Sequence, residues 1–254
     1  MSGCGHEGPW STIVSYAPTV HALSGLTHLS NPPDRSDVGA GFALNDHAAG
    51  LSAAFSVLAA LEARERTGFG QHVDISQMET GAYIIGPAIL DYLTNGREAQ
   101  PVGNDDPFHS VTPNNCHPTA DGRFLAVSCR NDDERAVLER VAGDDLARWA
   151  ASTTAREGEE ALQRAGIPAA AVQDGSDLMS DPQLLERGLW RECDHAVFGT
   201  RPYDRFPALW SAMSLEPYIP PPSYVGEHNF DVYSEIAGMD ADQIADGMAD
   251  GLFS

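Results

Sequence analysis

The chain has 254 residues, 42% of them hydrophobic and 20% charged, enough for one large or two modest domains with a real core. Its 37 acidic residues against 15 basic ones give a formal net charge of -22, which excludes nucleic-acid binding by phosphate neutralisation. All 15 basic residues are arginine, so a Walker-type phosphate loop, a pyridoxal Schiff base and a lysine general base are excluded as well.

No run reaches the roughly 18 consecutive apolar residues of a membrane span. Met1 to Cys4 carry no basic or apolar leader, and the four cysteines are scattered, with no Cys-x-x-Cys pair. These features read as a cytoplasmic protein with no membrane partner. Cys116-His117, Cys193-Asp194-His195 and His6 near Cys4 match no standard zinc spacing, so no metal is assigned and these are read as loop residues.

In chain order, residues 1–38 are rich in Gly, Pro and Ser, with one helical piece from Tyr16 to Leu26. The stretch from Ala43 to Gly68 predicts a long helix with Asn45 or Asp46 as its cap and Gly68 just past its end. It is Ala/Leu-rich almost all round until Glu62, the pattern of a buried helix. Asp46 then lies at a positively polarised helix end, where a carboxylate can cap the helix, bind a cation or act as a nucleophile. Residues 68–76 predict a glycine turn and a short strand, and residues 77–95 a helix kinked at Pro87 and ended by Asn95-Gly96. Pro101 to Pro118 reads as a boundary loop, within which Asp105-Asp106 could approach a site. A compact unit follows: a strand over 122–128, helices over 132–142, 144–150 and 153–165, and a strand over 167–172. Asp181-Pro182 starts a further helix, 188–224 reads as irregular, and Asp240 to Ala249 closes the chain as a helix.

Several motifs occur together in one order. They are Gly8-Pro9-Trp10, Ala22-Leu23-Ser24-Gly25-Leu26, Asp46 with Gly50, Arg64-Glu65-Arg66-Thr67-Gly68-Phe69-Gly70-Gln71, Val73-Asp74-Ile75-Ser76, Gly103-Asn104, Ala120-Asp121-Gly122, Gly166-Ile167-Pro168, Asp181-Pro182-Gln183 and Gly226-Glu227-His228. In this the chain resembles the class III CoA-transferases, the CaiB/BaiF group that includes formyl-CoA and carnitine CoA-transferases. The resemblance implies an α/β fold, the CoA-transferase family III fold lacking most of its N-terminal nucleotide-fold half, with a small α+β domain inserted. It divides the chain into residues 1–105, the central part of the large domain carrying the nucleophile, 106–178, the small domain, and 179–254, a return segment packing on the large domain or on a partner chain.

The resemblance also implies a reaction. Asp46 is the matching nucleophile, forming an aspartyl-CoA thioester as CoA moves from an acyl-CoA to a carboxylic acid. Tyr16 and Gln77 fall at substrate-binding positions. No cofactor is permanently bound, the coenzyme A thioester being a substrate. The missing portion supplies most of the CoA contacts in the family, so a separately encoded N-terminal-half subunit, or a homo-oligomer, is the expected partner. Two alternatives stand beside the transferase. One is a non-catalytic subunit or truncated relic completing a partner's ring. The other is a racemase-like isomerase of 2-methylacyl-CoA thioesters, opposed by Tyr16 where racemases carry a histidine and by Asn131 near their glutamate.

Overall fold

The computed structural model describes residues 1–35, 38–39, 41–105, 112–213 and 222–253. Two compact units divide the chain, Met1–Val172 and Gln173–Ser254.

The first unit opens with an extended segment that is tied to a helix start rather than to a sheet. Ser2 forms a single parallel bridge with Ser76: Ser2 N–H donates to Ile75 O (3.0 Å) and Gln77 N–H to Ser2 O (3.0 Å). The short strand expected within 68–76 is therefore reduced to this one bridge. Helices α1 (Ala17–Leu23) and α2 (Leu26–Ser30) replace the continuous helix expected from Tyr16 to Leu26. Gly25 breaks it in a left-handed conformation (φ +83), and a Cβ there would meet Ile85 Cδ1 at 3.0 Å.

Helix α3 (Leu44–Thr67) ends as expected, with Gly68 in the left-handed region donating its N–H to Arg64 O. Its start differs. Ala43 is the N-cap, and Asn45 and Asp46 lie inside the first turn, so neither is the cap that the sequence suggested. The expected burial of α3 is also corrected: only Asn45 and Ala49 are buried, while Leu51, Phe55 and Leu58 are 72%, 75% and 66% exposed. Both buried residues lie in the first turns of α3, and the apolar side chains further along it are exposed among the described residues. Helices α4 (Gln77–Ile84) and α5 (Gly86–Asn95) break at Ile85 just before Pro87, and Gly96 closes α5.

An antiparallel sheet ordered β1-β2-β3 follows, with β1 (Asn114–Pro118), β2 (Phe124–Ser128) and β3 (Ala169–Ala171). β1 begins inside the stretch expected to be loop, because Asn115 and Cys116 find backbone partners on Val127 and Ala126 of β2. The alternation of β2 puts Leu125 and Val127 on one face, where they join Cys129, Leu138, Ala142, Leu162 and Ile167 in the core. Helices α6 (Asp132–Ala142), α7 (Leu146–Ala150) and α8 (Ala155–Arg164) supply that core's other side. Thr154 and Glu157 cap α8 reciprocally.

The second unit starts with α9 (Gly175–Ser180) and α10 (Pro182–Glu186), the latter capped by Asp181 as expected. The stretch read as irregular contains a hairpin, β4 (Trp190–His195) with β5 (Gly199–Asp204). Cys193 and His195 are thus strand residues, as Cys116 and His117 are on β1. Arg205 is buried beside the hairpin, its guanidinium donating to the carbonyls of Gly188 (2.8 Å), Phe206 (2.6 Å), Ala208 (3.0 Å) and Arg187 (2.7 Å). That fork satisfies four backbone oxygens that a polar, Pro-rich segment could not pair by itself. A short turn of helix, α11 (Asn229–Asp231), runs into a π-helical turn (Val232–Ile236), and α12 (Ala241–Ala249) follows with Asp240 as its cap.

Candidate active site

The last turn of α1 and the first turns of α3 and α4 meet around Asn45, which is fully buried. The first N–H groups of a helix have no partner within the helix, and Ala43 offers no side chain to receive them. His21 of α1 takes that role, its Nε2 accepting the Asn45 N–H at 3.4 Å. The Asn45 side-chain amide donates to Ser24 Oγ (3.3 Å) and to the backbone carbonyl of Gln77 (3.2 Å), joining all three helices. Gly81 makes the approach possible: a Cβ there would lie 2.5 Å from Ser24 Oγ and 2.6 Å from Asn45 Nδ2.

Asp46 follows Asn45 and so is delivered to the same junction. Gln77 Nε2 donates to Asp46 Oδ1 at 2.9 Å. Asp46 Oδ2 is covered and has no hydrogen-bond partner among the described residues. One carboxylate thus has a held oxygen and a covered, unpartnered one, at the N-terminal end of a helix whose dipole favours negative charge. Gln77 is itself held at three points. Ser76 caps α4 through Glu79 N–H (3.2 Å), Gln77 N–H donates to Ser2 O, and Gln77 O receives Asn45.

Of the three residues singled out in the sequence, Asp46 and Gln77 are in contact. Tyr16 precedes α1 as its N-cap and is 75% exposed. His47 stacks on Phe42, with ring centroids 4.7 Å apart, and its Nδ1 lies 2.8 Å from Ala43 O. Asn131 caps α6 by accepting the Glu134 N–H at 2.9 Å, a structural task. Asp105 is exposed on the loop before β1, and Asp106 lies outside the described residues. Among the described residues of the first unit, one groove lies on the sheet beside Cys116, Ser128 and Ala170 and another between α2 and α5 beside His28, Ile89 and Tyr92; Asp46 lines neither of these. Among the described residues no three His, Cys, Asp or Glu side chains gather as a metal site, and no helix is long and apolar enough to cross a membrane. His21, Ser2 and Gly81 were not singled out as site residues in the sequence, and Ser24 entered only as part of the Ala22–Leu26 motif.

Residues 1–147 and 134–229 match the family described as CoA-transferase family III, and the chain belongs to it. It is 30% identical over 274 residues to the probable CoA-transferase Rv1866 of Mycobacterium tuberculosis, across 95% of this chain and 34% of that protein. It is 26% identical over 270 residues to the succinyl-CoA–D-citramalate CoA-transferase of Chloroflexus aurantiacus, across 96% of this chain and 66% of that one. Its fold matches the crystal structure of a CaiB/BaiF family protein from Brucella suis with a TM-score of 0.77 at 24% identity, covering 92% of this chain and 66% of the other. The chain spans between about a third and two thirds of the length of these curated relatives. Mixed α/β structure of the CaiB/BaiF type is therefore its fold.

Proposed function

We propose that the chain is a CoA-transferase subunit that moves CoA between an acyl-CoA and a carboxylic acid through an aspartyl-CoA thioester on Asp46. The observation that carries this reading is the Asp46 carboxylate, one oxygen held by Gln77 and the other without a partner. A buried carboxylate oxygen with no donor is costly, on the order of 1–3 kcal/mol, and such a cost is characteristic of a group reserved for a reacting partner.

The steps balance without a proton. The free oxygen attacks the acyl-CoA carbonyl carbon, and CoA leaves as a thiolate, giving a mixed anhydride. The thiolate attacks Asp46 Cγ, the bond from Cγ to the attacking oxygen breaks, and the donor acid departs as a carboxylate. The acceptor carboxylate then attacks Cγ and expels the thiolate, which attacks the acceptor carbonyl and releases Asp46. Tyr16, at the open end of α1, is the acyl-contacting residue in this reading. Segment 1–105 carries the nucleophile, 106–178 is the small domain and 179–254 the return segment.

A companion chain, either an N-terminal-half subunit or a second copy, supplies the remaining walls and the basic groups for the CoA phosphates. Two features support this: the relatives are longer, and the apolar flank of α3 is open. That same open flank is what favours the second reading, a non-catalytic subunit completing a partner's ring. Incubating the native assembly with an acyl-CoA and hydroxylamine separates the two. Transfer activity with a hydroxamate at Asp46, both lost in Asp46→Asn, is the expected result; undiminished transfer in Asp46→Asn overturns the assignment. Exchange of the α-hydrogen with solvent deuterium, without CoA transfer, would indicate the isomerase.

A further inference from the structure

Resting on the covalent reading of Asp46, we propose that Gln77 divides the two carboxylate oxygens into permanent roles. Oδ1 stays on Cγ through every turnover as the carbonyl oxygen, and only Oδ2 is lost and replaced. A carboxylate only accepts, so the Gln77 amide must present its nitrogen to Asp46, as it does at 2.9 Å from Oδ1. Gln77 cannot easily follow a turning carboxylate. Its backbone N–H is tied to Ser2 O and its backbone carbonyl to Asn45 Nδ2, which fixes the residue at the capped first turn of α4.

The same donor then serves the second half of each transfer. When the thiolate adds to Asp46 Cγ, the electron pair of the carbonyl moves onto the oxygen that is not bonded to the acyl group. That oxygen is Oδ1, and Gln77 Nε2–H is already aimed at it. When the tetrahedral centre collapses, the Cγ–Oδ2 bond breaks, and Oδ2 leaves in the donor's carboxylate. The acceptor's attack on Cγ repeats this in reverse and installs one acceptor oxygen at the Oδ2 position. Gln77 is therefore a donor to a developing oxyanion as well as a residue that orients the nucleophile.

The test follows the oxygens. The native assembly is run for many turnovers with an acceptor acid carrying oxygen-18 in both carboxyl positions, and the Asp46 peptide is then weighed. The expected result is saturation at one heavy oxygen in the wild-type chain. In Gln77→Met, which keeps the length and removes the donor, the carboxylate turns between turnovers and two heavy oxygens accumulate, while kcat falls by ~100-fold, the effect of losing one oxyanion donor. Two heavy oxygens in the wild-type chain overturn the proposal without use of any variant, and one in both chains overturns the role of Gln77. No heavy oxygen at Asp46 during continued transfer overturns the covalent reading itself.

Discussion

The side-chain amide of Asn45 donates to the backbone carbonyl of Gln77 at 3.2 Å, so the residue before Asp46 holds the turn that carries the donor to Asp46. Position and chemistry are coupled through one buried polar side chain, and they should fail together. In Asn45→Ala, Ser24 Oγ, the Gln77 carbonyl and their neighbours lose a partner at a fully buried site. A loss of about 2 kcal/mol follows, read as a lower urea midpoint, with a fall in transfer activity beyond what the unfolded fraction explains. An unchanged midpoint would show that the three helices are held by apolar packing alone.

Gly81 and Gly50 make a matched pair, both inside helices and of opposite consequence. The methyl group of Gly81→Ala would lie 2.5 Å from Ser24 Oγ and 2.6 Å from Ser24 Cβ, forcing α4 off α1 and α3. A loss of more than about 2 kcal/mol is expected, from overpacking plus the broken Asn45 bonds. Gly50 meets nothing within 4 Å on exposed α3. Gly50→Ala should therefore raise the stability of this chain by about 0.5–1 kcal/mol through backbone entropy. Thermal unfolding of the two variants side by side checks both signs.

What could be read from the sequence was whatever is decided within a few residues. Gly68 and Gly96 stop their helices, Pro87 marks the break between α4 and α5, and Asp181-Pro182 starts α10. What escaped it is decided by distant partners. The start of α3 is completed by His21, some two dozen residues earlier, so the usual preference for Asn or Asp at a cap misplaced it. The start of α4 is completed by Ser2 and Gly3 carbonyls, which no local pattern announces. The β4–β5 hairpin was hidden by a sequence with charged residues in β4 and a proline in β5, and Arg205 ties its base to the flanking backbone. Asp46 itself was legible as a helix-start carboxylate within an ordered set of motifs. That one of its oxygens is held and the other covered without a partner was not.

His117 gives the chain a pH-dependent element outside the site. Burial pushes its imidazole below the ordinary value near 6.5, and its Nε2 is covered without a partner among the described residues. The folded chain thus binds fewer protons than the unfolded chain once the pH drops below that value. The stabilising contribution is fully present above it and is lost as the pH falls through it toward the depressed folded value. Urea midpoints measured at about pH 7.5 and about pH 5.5 should drop less in His117→Gln than in the wild-type chain. Equal drops would place the titration on other histidines.

The open flank of α3 separates stability of the chain from stability of an assembly. Phe55 and Leu58 are 75% and 66% exposed, so a charge at either meets water in the chain alone, and the unfolding midpoint should stay within about 0.5 kcal/mol of wild type. A companion chain covering α3 would instead have to bury that charge without a partner, a cost of several kcal/mol that an interface does not survive. Phe55→Glu and Leu58→Glu are therefore expected to leave folding intact while sedimentation shows the assembly dissociated and transfer activity lost, although neither residue touches Asp46. An assembly of unchanged size in both variants would mean that α3 faces solvent in the working protein. In that case the walls of the site and the basic groups for CoA must come from some other surface.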